Sequence, residues 1–179
     1  MSLKEHTKDL HDLAEQTQFA RHLLSGNIDT ALYANYLYQM ALVYGPIELG
    51  NKSQGYLQQL PGIERANAIY EDFIELAGKS HGYQWLPSTT KYYNYILALL
   101  SDPDRVHLIQ AHMYCRHMGD LYGGQIVSSR VPGSGKFYKF ENAAHLREQI
   151  RKQLTDDYSD EARVAFQFTI DIMRELCDE

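Results

Sequence analysis

The chain has 179 residues, 44% of them apolar and 22% charged, which is enough for one domain with its own core and excludes a disordered composition. A formal net charge of −6 disfavours a nucleic-acid binder, which is more often basic. The two cysteines, Cys115 and Cys177, form neither a disulfide framework nor a metal cluster and fit a reducing compartment.

Strand-like alternation is scarce, and 14 tyrosines with only 5 prolines suit long helices with amphipathic walls. Helices are expected at about 2–16, 18–25, 29–50, 64–78, 88–100, 103–130, 141–154 and 159–177, giving an all-α, single-domain, multi-helix fold over 1–179. Ser2 and Glu5 have capping-box spacing at the first helix. On that helix His11 and Glu15 are four apart, so Glu15 can accept a hydrogen bond from the ring nitrogen that faces away from a metal. Lys4 lies two turns before His11 on the same face, placed to meet an anionic edge. A lone helical histidine is more often a surface or satisfied core residue, and His6, about 140° around the helix, cannot share a pocket with His11.

Gly26-Asn27 stops the second helix and Asp29 can cap the third. Residues 30–47 carry no charge, yet Asn35, Gln39, Pro46 and four tyrosines point to a buried or pocket-lining helix rather than a membrane span. Pro87-Ser88 opens the fifth helix, and Ser101-Asp102-Pro103 separates it from the sixth.

The sixth helix holds the most informative stretch, Ala111 to Gln125, with Gly119, Gly123 and Gly124 inside a helical pattern and Asp120 between them. Each glycine costs a helix interior about 1 kcal/mol relative to alanine. Gly119 and Gly123 share a face, and Gly124 is expected to widen the bare strip, so another helix or a flat ligand can approach the backbone. Spacing alone leaves both readings open, a kinked and tightly packed helix or a ligand site. Val131-Pro132-Gly133-Ser134-Gly135 breaks the chain. Arg147 and Arg151, four apart, project together, either as a solvated face paired with Glu148 and Asp156 or as a fork for carboxylates. Asp160 and Glu161 suit the first turn of the last helix.

The stretch 111–125 resembles the distal-helix signature of the haem oxygenases, roughly Ala-His-Ala-Tyr-x-Arg-Tyr-x-Gly-Asp-Leu-Ser-Gly-Gly-Gln. His112, Tyr114, Arg116, Gly119, Asp120, Leu121, Gly123, Gly124 and Gln125 match in register, whereas Tyr122 stands at the family's serine and His117 at its tyrosine. The N-terminus is similar to the family's proximal helix, Leu-Lys-Glu-x-Thr-x-x-x-His-x-x-x-Glu. The likeness covers most of the chain and is weakest between residues 51 and 100.

The resemblance implies an all-helical fold and oxidative cleavage of haem b, both substrate and cofactor, by O2 and a reductant to biliverdin, carbon monoxide and ferrous iron. The alpha edge is the default, and ferredoxin is the expected electron donor. On this match His11 is the proximal iron ligand with Glu15 as its partner. Lys4, Tyr114, Arg147 and Arg151 meet the propionates, and Arg116 joins the haem-binding set. Gly119, Gly123 and Gly124 clear the distal roof, and Asp120 anchors the waters that deliver protons. Thr169 stands where animal relatives place an asparagine of the distal network. With no hydrophobic tail after Leu176, the expectation is a soluble, cytoplasmic monomer without membrane or nucleic-acid partners. Three alternatives remain. A haem carrier or sensor would not need Asp120 among glycines. A di-iron oxidase would need a Glu-x-x-His spacing that the chain lacks. A thiaminase-like hydrolase would rest on Cys115 as nucleophile.

Overall fold

The structure, a computed structural model, describes residues 3–78 and 82–178, and among them there are nine α-helices and no strand. They are α1 Leu3–His6, α2 Lys8–Glu15, α3 Gln18–Ser25, α4 Thr30–Ser53, α5 Ala66–Ala77, α6 Pro87–Leu100, α7 Ile109–Val127, α8 Ala143–Gln153 and α9 Ser159–Glu175. The all-α expectation holds, and two boundaries change. The expected first helix, 2–16, is interrupted at Thr7, whose backbone leaves the helical region at φ −108° and ψ 1° while its amide and hydroxyl both donate to the Leu3 carbonyl. Its capping-box residue Ser2 lies outside the described residues. The expected helix 103–130 begins only at Ile109, after a 3-10 turn Val106–Leu108, because Asp102 takes up the Arg105 and Val106 amides in a tight turn of its own.

The central helix is α4. Asp29 caps it, its Oδ1 accepting from the amides of Ala31 at 2.9 Å and Leu32 at 3.0 Å. Pro46 sits inside the helix without breaking it, although it removes one backbone donor. The chargeless run is buried rather than membrane-facing, with Tyr33, Tyr36, Leu37, Met40, Val43, Tyr44 and Ile47 at the centre of the main core. Each such side chain contributes about 1.5–3 kcal/mol by leaving water. No described helix is long and apolar enough to cross a membrane. Gly50 lets α4 approach the junction of α6 and α7, since a Cβ there would stand 2.5 Å from Leu100 Cδ2.

Helices α5, α6 and α7 pack on α4, and α9 lies against α7, α6 and α2. A smaller core of Leu3, Ala111, Cys115, Ala162 and Ala165, with Tyr114 and Phe166 at its edge, fastens the N-terminus to α7 and α9. The breaker after α7 folds back because buried Asp72 on α5 accepts from the amides of Lys136 at 3.0 Å and Phe137 at 2.9 Å. That anchors Phe137 and Tyr138 beneath α7.

Candidate functional site

Two faces of α7 divide the site. Outward lie Tyr114, Met118, Gly119, Tyr122 and Gly123, partly or fully exposed, while Arg116, His117, Asp120, Leu121 and Gly124 are buried. A Cβ added at Gly119 or Gly123 would meet nothing within 4 Å, so the backbone there borders open space. Gly124 departs from the expectation that it widens this strip. It points inward, and a Cβ would stand 2.6 Å from Tyr138 Cδ1, so its bareness serves packing rather than access. Helical geometry explains the split, since Gly119 and Gly123 are one turn apart while Gly124 is rotated a further 100°.

Beneath the open strip is a buried polar network. The Tyr44 hydroxyl of α4 donates to Asp120 Oδ2 at 2.5 Å. Burial pushes the Asp120 carboxyl up to about 6, against the pull of the His117 charge, the Tyr44 bond and the Arg116 guanidinium. The Tyr44 ring stands 5.0 Å from the His117 ring, and the Arg116 guanidinium carbon lies 5.4 Å over the Tyr44 ring. Arg116 is 5% exposed; it donates to Thr169 Oγ1 at 2.7 Å, touches Met40 Sδ, and leaves its Nε without a partner. The contacts of Arg116 with Thr169, Met40 and the Tyr44 ring are all interior, so its place in the haem-binding set is behind the open strip rather than on it. Thr169 joins Arg116 to the Ala165 carbonyl. His117 Nε2 pairs with Glu48 Oε1 at 2.9 Å, and Glu48 also accepts from the amides of Arg65 and Ala66.

A second buried set lies nearer α9. His112 Nε2 meets Glu161 Oε1 at 2.8 Å, which leaves Nδ1 to accept from the Tyr92 hydroxyl at 2.9 Å. Burial holds His112 below its ordinary value, and Glu161 offsets that in part. Glu161 thus does more than complement the helix dipole.

The segment carrying Lys4, His11 and Glu15 is exposed. His11 Nδ1 and Glu15 Oε1 are 3.8 Å apart, an ion-pair distance beyond hydrogen-bond reach. The His11 ring stands edge-on to Phe166 of α9 at 6.0 Å. One turn earlier, Arg163 of α9 grips the segment, donating to the His6 carbonyl and Asp9 Oδ1 at 2.6 Å each and to Asp9 Oδ2 at 2.8 Å. The Arg163 bond holds Asp9 down at about 2. Arg147 and Arg151 do not pair with Glu148 and Asp156; Glu148 takes Lys152 at 2.7 Å, while both guanidiniums stand over the Tyr122 ring.

The geometry decides two alternatives. Burial pushes the Cys115 thiol up, and its sulfur donates to the Ala162 carbonyl, so it is no poised nucleophile. Among the described residues, the group spaced to share a metal ion is His11, Asp12 and Glu15 on one exposed turn, not the inward carboxylates of several helices that a di-iron centre needs. Tyr44, Glu48 and Arg65 went unnoticed in the sequence. The only signal was the chargeless, tyrosine-rich helix around Tyr44, which marks burial but not a partner.

The family model described as heme oxygenase matches residues 1–175. Heme oxygenase 2 of Macaca fascicularis is 28% identical over 97% of this chain, and the heme oxygenase of Rhodella violacea is 26% identical over 98% of the chain and 86% of the relative. The chain spans 64% of the length of the mammalian heme oxygenase 2 relatives. The heme oxygenase structure from Leptospira interrogans superposes with a TM-score of 0.82 at 25% identity, covering 98% of this chain and all of that one. Heme oxygenase-1 of the cyanobacterium Synechocystis, solved in complex with heme, shares the fold with a TM-score of 0.83 at 21% identity, covering 97% and 90%. With the whole helical frame and all but four residues matched, the chain belongs to the haem oxygenase family.

Proposed function

We propose that the chain cleaves haem with O2 and supplied electrons to biliverdin, carbon monoxide and ferrous iron. The observation that carries this reading is the Tyr44–Asp120 pair, buried directly behind the open backbone at Gly119 and Gly123. A carrier or sensor gains nothing from an expensive buried carboxylate at that place, so the enzyme reading is favoured over it.

The residues present fit haem. His11 is exposed, with Glu15 near Nδ1, which leaves Nε2 to face an iron. Gly119 and Gly123 offer bare backbone to a flat ring, and Lys4, Tyr114, Arg147 and Arg151 are the candidates for its carboxylates. When bound, haem supplies both the iron that activates O2 and the ring that is oxidised. The chain's own part is to hold and move protons. Ionised above a pH of about 6, Asp120 accepts from Tyr44 at Oδ2 and keeps acceptor capacity at Oδ1 for a water. Arg116, gripped by Thr169, keeps positive charge behind that carboxylate. With bulk absent at Gly119 and Gly123, the backbone would come close to a bound ring and limit the space above it.

The reading extends to one haem-binding unit over 1–179 that works as a cytoplasmic monomer with ferredoxin or a similar small donor. A haemin titration, then ferredoxin with its reductase in air, tests it. A stoichiometric Soret band decaying into biliverdin absorption is the expected result. A Soret band that survives the treatment would leave only the carrier or sensor.

A further inference from the structure

The outward face of α7 carries one side chain that the family pattern does not account for. Tyr122 replaces a serine, is 45% exposed, and continues the stripe begun by Tyr114 and Met118 beside the open backbone of Gly119 and Gly123. Two guanidiniums of α8 converge on its ring. The Arg147 guanidinium carbon is 4.7 Å from the centroid and that of Arg151 is 5.5 Å away. Arg147 is further fixed by donating to the Leu121 carbonyl at 2.9 Å. Among the described residues neither arginine has a carboxylate within ion-pair distance, and Glu148 pairs with Lys152 instead.

Two arginines one turn apart repel each other and, with no acidic partner, would ordinarily splay into solvent. An aromatic face reverses that preference, because its negative quadrupole attracts both cations while leaving their planar donors free at the edges. A small side chain at position 122 could not do this. We propose that Tyr122 is a positioning residue that seats Arg147 and Arg151 together beside the open strip, pre-forming a receptor for the paired carboxylates of a dicarboxylate ring ligand. The inference rests on haem as the ligand and adds the specificity element by which this chain holds the propionate edge. Affinity comes from ordering the arginines before binding, so that less side-chain freedom is lost on contact.

The test has two parts. In the ligand-free protein, the δ-protons of Arg147 and Arg151 are expected to show upfield ring-current shifts that vanish in Tyr122→Leu and persist in Tyr122→Phe. Normal shifts in the unsubstituted protein would mean that the seat does not exist in solution and would overturn the proposal. Binding of haemin and of its dimethyl ester, which lacks carboxylate charge, is then followed at the Soret band. Tyr122→Leu is expected to weaken haemin about 5- to 30-fold, the effect of two exposed cation–ring contacts, and to leave the ester unchanged. Tyr122→Phe should bind both as the parent does. Equal weakening for both ligands would show that Tyr122 acts through pocket shape, and no weakening would show that it does nothing, so either result overturns the proposal. Failure of the unsubstituted protein to bind haemin at all is a distinct outcome, which defeats the haem reading and this inference with it.

Discussion

The two sides of the site are built in opposite ways. Behind α7, Asp120, Arg116, His117 and Tyr44 are buried and already connected to one another. On α2, His11 and Glu15 lie exposed, 3.8 Å apart, and the N-terminal segment is held by Arg163 of α9 together with the packing of Leu3 against Ala111, Cys115, Ala162 and Ala165. The difference matches the two roles proposed for these residues. Groups that set proton positions need low dielectric and fixed partners, so they belong in the core. The proposed axial role of His11 requires room for a large flat molecule, which its exposure leaves.

The sharpest way to break this contrast is at the exposed side. His11→Ala is expected to lower turnover by more than the about 100-fold that loss of an outer partner of a metal ligand costs, and added imidazole should restore it. Unchanged Soret position and turnover would place the ligand elsewhere. On the buried side, Asp120→Asn should cut biliverdin yield about 100-fold while leaving haemin affinity near the parent value. The same substitution sharpens a stability claim. Because the folded Asp120 titrates near 6, above its ordinary value of 3.8, the native state holds the proton more tightly. Its contribution to stability is present below pH about 4 and is lost as pH rises through about 6, at an upper limit of about 3 kcal/mol. Denaturant titrations of Asp120→Asn should therefore show a gain over the parent at pH 8 that disappears at pH 4.

Smaller effects separate the two faces of one helix. Gly124→Ala should destabilise by about 1–3 kcal/mol, because its methyl meets Tyr138. Gly119→Ala should stabilise the free protein by up to about 1 kcal/mol, since its methyl meets open space, yet weaken haemin binding. Equal thermal shifts for the pair would refute the inward and outward assignment. Smallest of all, Arg163→Ala should change global stability by less than about 1 kcal/mol, as its pair with Asp9 is exposed, but broaden or shift the Soret band by loosening the proximal segment.

Much of the frame was legible because it depends on local signals. Asp29 as a cap, Gly26 in the left-handed conformation with φ 75°, Pro87 at a helix start and the break after α7 all appear where those residues predict them. The interruption at Thr7 and the late start of α7 escaped, the second because a turn at Asp102 competes with an otherwise helical pattern. Among candidate site residues, His11 and Asp120 were picked out by the resemblance to the family's motifs, but the division among the glycines was not. Spacing shows that Gly124 is bare; only the arrival of Tyr138 from the following loop explains why. The partners of Asp120 were likewise hidden, because Tyr44 is 76 residues away and Arg116 turns inward to Thr169, 53 residues on.

The sequence by itself determined the helical class and the caps and breaks, because periodicity and turn chemistry act over a few residues. The tertiary structure decided which polar groups are buried together, how far the Asp120 carboxyl is raised, and that Arg147 and Arg151 meet on Tyr122 rather than on acids of their own helix. Those outcomes depend on desolvation and on neighbours supplied by distant elements, and no spacing within one segment carries that information.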